Sequence, residues 1–226
     1  MTNANPDDRS HAGQAIYTRT TLSLYDLVVL GISNALIWRC PTRQILDLYD
    51  QNVSERHLDI GVGTGWYLDH CRFPTATPDL ALLDLNPHSL RTAAARIARY
   101  APKQYRADVL WPIDLPIEPV RSIAFTYLLH CLPGTMAEKA VAFDHILPLL
   151  RPDGVLFGAT LLSSGVHRSA AAKRLMAFYN RKAVFSNEGD SAEGLRNELE
   201  RRFTHVDISI VGCGALFTAK GHRQSR

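Results

Sequence analysis

The sequence holds little that would brace it chemically or anchor it to a membrane. Its four cysteines, Cys40, Cys71, Cys131 and Cys213, are scattered and form no Cys-x-x-Cys pair. That spacing argues against a disulfide framework and a structural zinc site and favours a reducing compartment. The apolar run around Leu27 to Trp38 is too short and too interrupted to span a bilayer. The first fifteen residues are polar and carry no signal-peptide core, so a soluble, cytoplasmic protein is expected. Charge of one sign is not in excess either: the net charge is +3, which suggests neither an obligate nucleic-acid binder nor a membrane binder. No internal repeat or low-complexity tract is present.

What is there suits one α/β domain. The 226 residues are 46% hydrophobic and 21% charged, enough apolar side chain for a sizeable core. Residues 1–15 lack periodicity and read as a flexible tail. Residues 16–55 read as a helical cap: a densely apolar helix from about Thr20 to Arg39, stopped at Cys40-Pro41, then a second helix capped by Thr42. In that second helix Ile45, Leu46 and Tyr49 form one apolar stripe.

From Arg56 to the end, strands and helices alternate. Strands are expected at 56–60, 78–86, 104–109, 121–129 and 155–162, with turns at 132–134 and 151–154. Helices are expected at 64–71, 87–100, 135–150, 167–180 and 191–203. Two last strands, 206–211 and 215–220, join through Gly212-Cys213-Gly214. The pattern implies right-handed crossovers and a three-layer αβα sandwich around a mostly parallel seven-stranded sheet with an antiparallel edge strand.

The stretch His57-Leu-Asp-Ile-Gly-Val-Gly-Thr-Gly65 organises the chain. An apolar strand carrying Asp59 runs into Gly61, Gly63 and Gly65. Glycine is used where a strand turns tightly into a helix and lets a ligand approach the backbone. The dinucleotide pattern Gly-x-Gly-x-x-Gly is missing, because Trp66 stands where its last glycine belongs. Counting from Gly63 instead puts Leu68 there. The Gly-Lys-Ser/Thr of a phosphate-cradling loop is absent as well.

An acidic residue followed by Gly-x-Gly-Thr-Gly, then Asp84 closing the second strand and Asp108 after the third, resembles the class I S-adenosylmethionine-dependent methyltransferases. The resemblance runs from about Arg56 to Lys220. It implies that Gly61, Gly63 and Gly65 line the methionine and ribose part of the cofactor, and that Asp59 holds the loop or the ammonium group. Asp84 and Leu85 would meet the ribose, Asp108 and Val109 the adenine, with Tyr25 covering the cofactor. A turn or capping role for Asp108 stays open beside this. The family often begins its fourth strand with Asp, where this chain has Ser122. It lacks both the Asn-Pro-Pro-Tyr type of motif, having Phe125-Thr126-Tyr127-Leu128, and the acidic clusters of magnesium-dependent members, so metal independence is expected.

Methyl transfer from a sulfonium needs alignment and a dry pocket, with a base only where the nucleophile must lose a proton. Candidates at the strand ends and on the cap are Tyr17, Trp38, Tyr127, His130 and Tyr179, with His130 as general base because imidazole titrates near neutrality. Backbone hydrogen bonding is the structural alternative for His130, and core packing for Tyr25 and Trp38. The basic segment His167 to Lys182 reads as a solvated helix face against the acidic stretch Glu188 to Glu200. The expected function is transfer of a methyl group to O, N or electron-rich C of a small molecule in natural-product metabolism, yielding S-adenosylhomocysteine. The protein would act without nucleic acid or membrane, as monomer or homodimer. RNA or protein methylation, and a non-catalytic cofactor-binding subunit, remain alternatives. A nicotinamide oxidoreductase is disfavoured by Trp66.

Overall fold

In the computed structural model residues 33–223 are described. The expected tail and most of the first expected helix, with Tyr17 and Tyr25, lie outside them. Helix α1 (Thr42–Asn52) follows with Pro41, not Thr42, at its N-cap. Thr42 is the first helical residue, and its hydroxyl accepts from Asn34 Nδ2 at 3.0 Å. Ile45, Leu46 and Tyr49 form its buried stripe as the spacing implies.

Seven strands form one sheet in the order β3-β2-β1-β4-β5-β7-β6. They are β1 (Arg56–Ile60), β2 (Asp79–Asp84), β3 (Lys103–Arg106), β4 (Val120–Thr126), β5 (Leu150–Leu161), β6 (Phe203–Val211) and β7 (Gly214–His222). The first five pair in parallel, while β7 enters reversed between β5 and the edge strand β6. Because β1 to β3 grow one way from the centre and β4 onward the other, a crevice opens above the C-terminal ends of β1 and β4.

The remaining helices are α2 (Trp66–His70), α3 (Pro87–Arg96), α4 (Met136–Lys139), α5 (Val141–Ile146), α6 (Ala170–Arg181) and α7 (Ala192–Arg202). Strand side chains alternate between faces, so each strand feeds two cores. Leu58, Ile60, Ile123 and Phe125 pack against α5 and α7 through Phe143, Leu195 and Leu199. Leu80, Leu82, Ala124 and Phe157 pack on the other face against α1, α3 and α6 through Tyr49, Leu90, Ala93 and Met176. That is the expected three-layer sandwich.

Several boundaries differ from expectation. The third strand stops at Arg106, because the Asp108 carboxylate accepts from Leu110 N–H at 3.0 Å and turns the chain. The fourth stops at Thr126, because Tyr127 takes φ 58. The helix expected at 135–150 is split into α4, α5 and a 3-10 turn, Leu147–Leu149, that accommodates Pro148. The turn expected at 151–154 lies within β5, where the pairing with β4 shifts register between Val120 and Ser122. Among the described residues no helix is long and apolar enough to cross a membrane.

Candidate active site

The glycine loop carries the chain from β1 into α2. Gly61, Gly63 and Gly65 all adopt positive φ, at 72°, 52° and 73°. Gly65 is the left-handed N-cap of α2, and a Cβ there would sit 2.9 Å from Ala93 Cα on α3. The loop is fastened below by Gly61 N–H donating to Leu83 O at 2.9 Å. These glycines are therefore required both by conformation and by close packing on α3.

Three carboxylates stand at the strand ends around this loop. Asp59 is only 4% exposed. Its Oδ2 accepts from the Tyr49 hydroxyl at 2.9 Å and lies 3.8 Å from His57 Nε2. Asp84 ends β2, and its carboxylate accepts from Asn86 N–H at 2.8 Å. Burial pushes its pKa up to about 6, against the pull of backbone N–H groups of Asn86, Gly63 and Val62. Asp108 makes the turn onto Leu110 noted above, so the turn role left open by the sequence is realised.

One cleft joins these elements and encloses about 1320 Å³ out to its open mouth. Asp59, Gly61, Gly63, Gly65, Asp84, Leu85, Asp108 and Val109 all line it. So does Trp66, the residue that fills the missing-glycine position, stacked on His70 at 4.0 Å between ring centroids. The far end is formed by Thr126, Tyr127, Leu128, Cys131, Leu132, Pro133 and Val184. The glycine loop, the Asp84 carboxylate and the backbone at Ala107–Leu110 could together hold an adenosyl group with an amino-acid tail. Among the described residues no three His, Cys, Asp or Glu side chains gather where they could hold a metal ion.

The acceptor-side expectations need correction. His130 is 3% exposed and is not among the cleft-lining residues. Its Nδ1 accepts from Leu161 N–H at 3.3 Å, with Thr160 Oγ1 also 3.3 Å away. Phe185 packs edge-on over the ring at 4.5 Å. Burial, reinforced by the Lys139 charge, lowers its pKa to about 3. The imidazole is neutral at physiological pH but far too weak a base to draw a proton from a hydroxyl. It is the backbone-bonding alternative that the structure realises. Trp38 is 2% exposed and packs in the core against Phe185, not in the cleft. Tyr179 is half-buried against the same Phe185 at 4.8 Å and also stands off the cleft.

Tyr127 does line the cleft. Its backbone is fixed by N–H donation to Ala159 O at 2.7 Å, and its hydroxyl donates to the buried Asn34 Oδ1 at 3.1 Å. The basic helix is not ion-paired with the acidic stretch it was expected to face. Among the described residues no ion pair joins α6 to 188–200, and Glu198 and Glu200 of α7 pair with Arg196, Arg201 and Arg202 of the same helix.

Sequence reasoning missed Tyr49 and Val184. Tyr49 sat on an apolar helical stripe and read only as core. Val184 belongs to the loop 183–190, which carries no motif. That loop is held by a buried ion pair, Lys139 to Asp190 at 2.8 Å, with Lys139 also donating to Ser186 O. Asn187 Nδ2 donates to Leu161 O at 2.9 Å, and Ser186 N–H to His130 O at 2.8 Å.

A family model described as a methyltransferase domain matches residues 38–202. The chain is 41% identical to demethylluteothin O-methyltransferase of Streptomyces thioluteus, over 92% of this chain and 90% of that one. It is 37% identical to the physcion biosynthesis cluster O-methyltransferase of Aspergillus chevalieri, over 97% and 98% of the two chains. Among solved structures, the DhpI–SAH complex superposes with a TM-score of 0.71 at 13% identity, covering 97% of this chain and all of that one, a likeness of fold.

Proposed function

Since the chain belongs to the methyltransferase-domain family, as an S-adenosylmethionine-dependent enzyme acting on a small molecule, we propose that its acceptor atom is a hydroxyl oxygen of a natural product. The observation that carries the cofactor half is the single cleft in which the positive-φ glycine loop meets Asp84. The choice of oxygen and of natural products is supported by the names of the two relatives reported above, at 41% and 37% identity.

When bound, S-adenosylmethionine supplies an electrophilic methyl on a sulfonium, which an acceptor lone pair displaces in line to leave S-adenosylhomocysteine. The residues of this chain bind and orient. The glycine loop offers backbone and space to the ribose and methionine portion. Asp84 accepts from ribose hydroxyls, with Leu85 beside it. Asp108 and Val109 border the adenine, and Asp59 meets the amino-acid end. Tyr127, Cys131 and Val184 wall the acceptor end and exclude water. Burial raises the Cys131 thiol to about 12, so it serves as apolar surface and not as a nucleophile.

A cap that ends at residue 55 and a catalytic domain from residue 56 complete the reading. The cap assignment is supported by Asn34 and Tyr49, which reach the cleft residues Tyr127 and Asp59. The mild net charge of +3 supports action without nucleic acid, and the protein is read as a cytoplasmic monomer or homodimer.

Calorimetry with S-adenosylhomocysteine, followed by incubation of S-adenosylmethionine with a panel of phenols, enols and amines, tests the reading. Binding and a product gaining one methyl on oxygen is the expected result. Absence of cofactor binding overturns the whole reading, and a product methylated only on nitrogen overturns the choice of oxygen.

A further inference from the structure

Asp59 is a buried carboxylate that is only half satisfied. Among the described residues, the Tyr49 hydroxyl and His57 Nε2 are its neighbours, and both sit on Oδ2. His57 is held from its other side, with Nδ1 at 2.8 Å from Ser122 Oγ. No lysine or arginine pairs with Asp59 among the described residues, and the remaining oxygen, Oδ1, belongs to a residue that lines the cleft. A buried carboxylate is normally paired or multiply hydrogen-bonded, so the missing partner is a cation or strong donor arriving in the cleft.

Tyr49 decides which oxygen is left for that partner. It is 1% exposed, on α1. Its ring stacks on Tyr67 at 5.1 Å and 14°, and meets Phe157 edge-on at 5.1 Å and 89°. Two aromatic contacts at right angles leave the ring no room to swing, so the hydroxyl is fixed on Oδ2. Resting on the cofactor assignment above, we infer that Tyr49 is a positioning residue that locks the Asp59 carboxylate so that Oδ1 receives the α-ammonium of the cofactor's amino-acid end. The residue acts from the cap helix through Asp59 and does not itself need to touch the reacting atoms. Its neighbour in the sequence-legible site is thus tuned by a residue that the motif does not contain.

Two probes separate this from a general packing role. S-Adenosylhomocysteine carries the ammonium, whereas 5′-methylthioadenosine keeps the adenine, ribose and thioether but lacks the amino-acid end. Tyr49→Phe removes only the hydroxyl and keeps both ring contacts. Titration calorimetry is expected to show affinity for S-adenosylhomocysteine falling about tenfold in Tyr49→Phe, with 5′-methylthioadenosine unchanged. Asp59→Asn should show the same selectivity, and adding Tyr49→Phe to it should cost nothing more, because the two act as one unit. An equal loss for both probes, a strictly additive double variant, or no loss at all overturns the inference. If the unsubstituted protein binds 5′-methylthioadenosine as tightly as S-adenosylhomocysteine, the inference fails while the cofactor site stands. If it binds neither, the cofactor reading itself has failed.

Discussion

On the proposed placement of the ribose, Asp84 couples cofactor affinity to pH. Burial holds its pKa near 6 in the folded protein, above the ordinary value of 3.8. A raised acid contributes stability that is fully present below the unfolded pKa and lost as pH rises through about 6. The folded, cofactor-free protein therefore carries a strained carboxylate at neutral pH, which ribose hydroxyls would relieve in the proposed complex by donating to it. Affinity for S-adenosylhomocysteine is expected to fall below pH 6, steepening towards about tenfold per pH unit, as single-site linkage requires. Calorimetry from pH 5 to 7.5 checks this, and Asp84→Asn should abolish the slope while weakening binding throughout.

The glycines make a second prediction at the same scale. A Cβ on Gly63 meets nothing within 4 Å, whereas one on Gly65 collides with Ala93 Cα. Gly63→Ala should cost only the left-handed conformation, ~1–2 kcal/mol. Gly65→Ala should cost clearly more, and urea unfolding separates the two. Residue by residue, the glycine-loop end of the cleft was readable because one strand-turn-helix motif fixes its lining locally. Asp59, Gly61, Gly63, Gly65 and Asp84 all fall within one βαβ unit. Tyr49 was unreadable because its buried stripe looks the same whether or not its hydroxyl finds a carboxylate.

Most helix starts were legible in their capping side chains. Asn86 caps α3 with Pro87 following, Ser191 caps α7, and Thr135 with Glu138 forms a capping box on α4, while α6, expected from His167, starts behind its Ser169 cap. Thr135→Ala should lower stability by ~1 kcal/mol, read from the urea midpoint. Where tertiary contacts set the boundary, sequence gave no warning. Tyr127 ends β4 in a left-handed conformation held by Ala159 O and Asn34, one of them from the next strand and the other from the cap. The loop 183–190 depends likewise on Lys139, 51 residues before its partner Asp190. Removing one member of the Lys139–Asp190 pair leaves a buried charge, so Lys139→Met should cost ~3–5 kcal/mol. Lys139→Met with Asp190→Leu should recover much of that loss in a thermal melt. Because the same loop presents Val184, the single variant should also impair turnover before it impairs cofactor binding.

For the whole molecule, the sheet order explains why donor and acceptor ends differ so much in construction. The reversal between β1 and β4 opens one crevice, and its β1–β2–β3 side is built from residues 59–110, nearly contiguous. Its β4–β5 side is assembled from the run 126–133 and from Val184, two segments well separated in the chain. That arrangement was foreseeable as an α/β sandwich but not in its acceptor detail, since long-range convergence leaves no local pattern. Ligand linkage gives a global test: S-adenosylhomocysteine at a hundred times its Kd should add ~2.7 kcal/mol, raising Tm by several degrees.

The clamp on the loop 183–190 has a consequence for how the scaffold can change its chemistry. Lys139 and Asp190 fasten that loop to α4, on a foundation separate from the glycine turn. On the proposed placement of donor and acceptor, cofactor handling and acceptor choice are therefore separable: exchanging residues 183–189 for those of a relative should change acceptor preference and leave S-adenosylhomocysteine affinity intact.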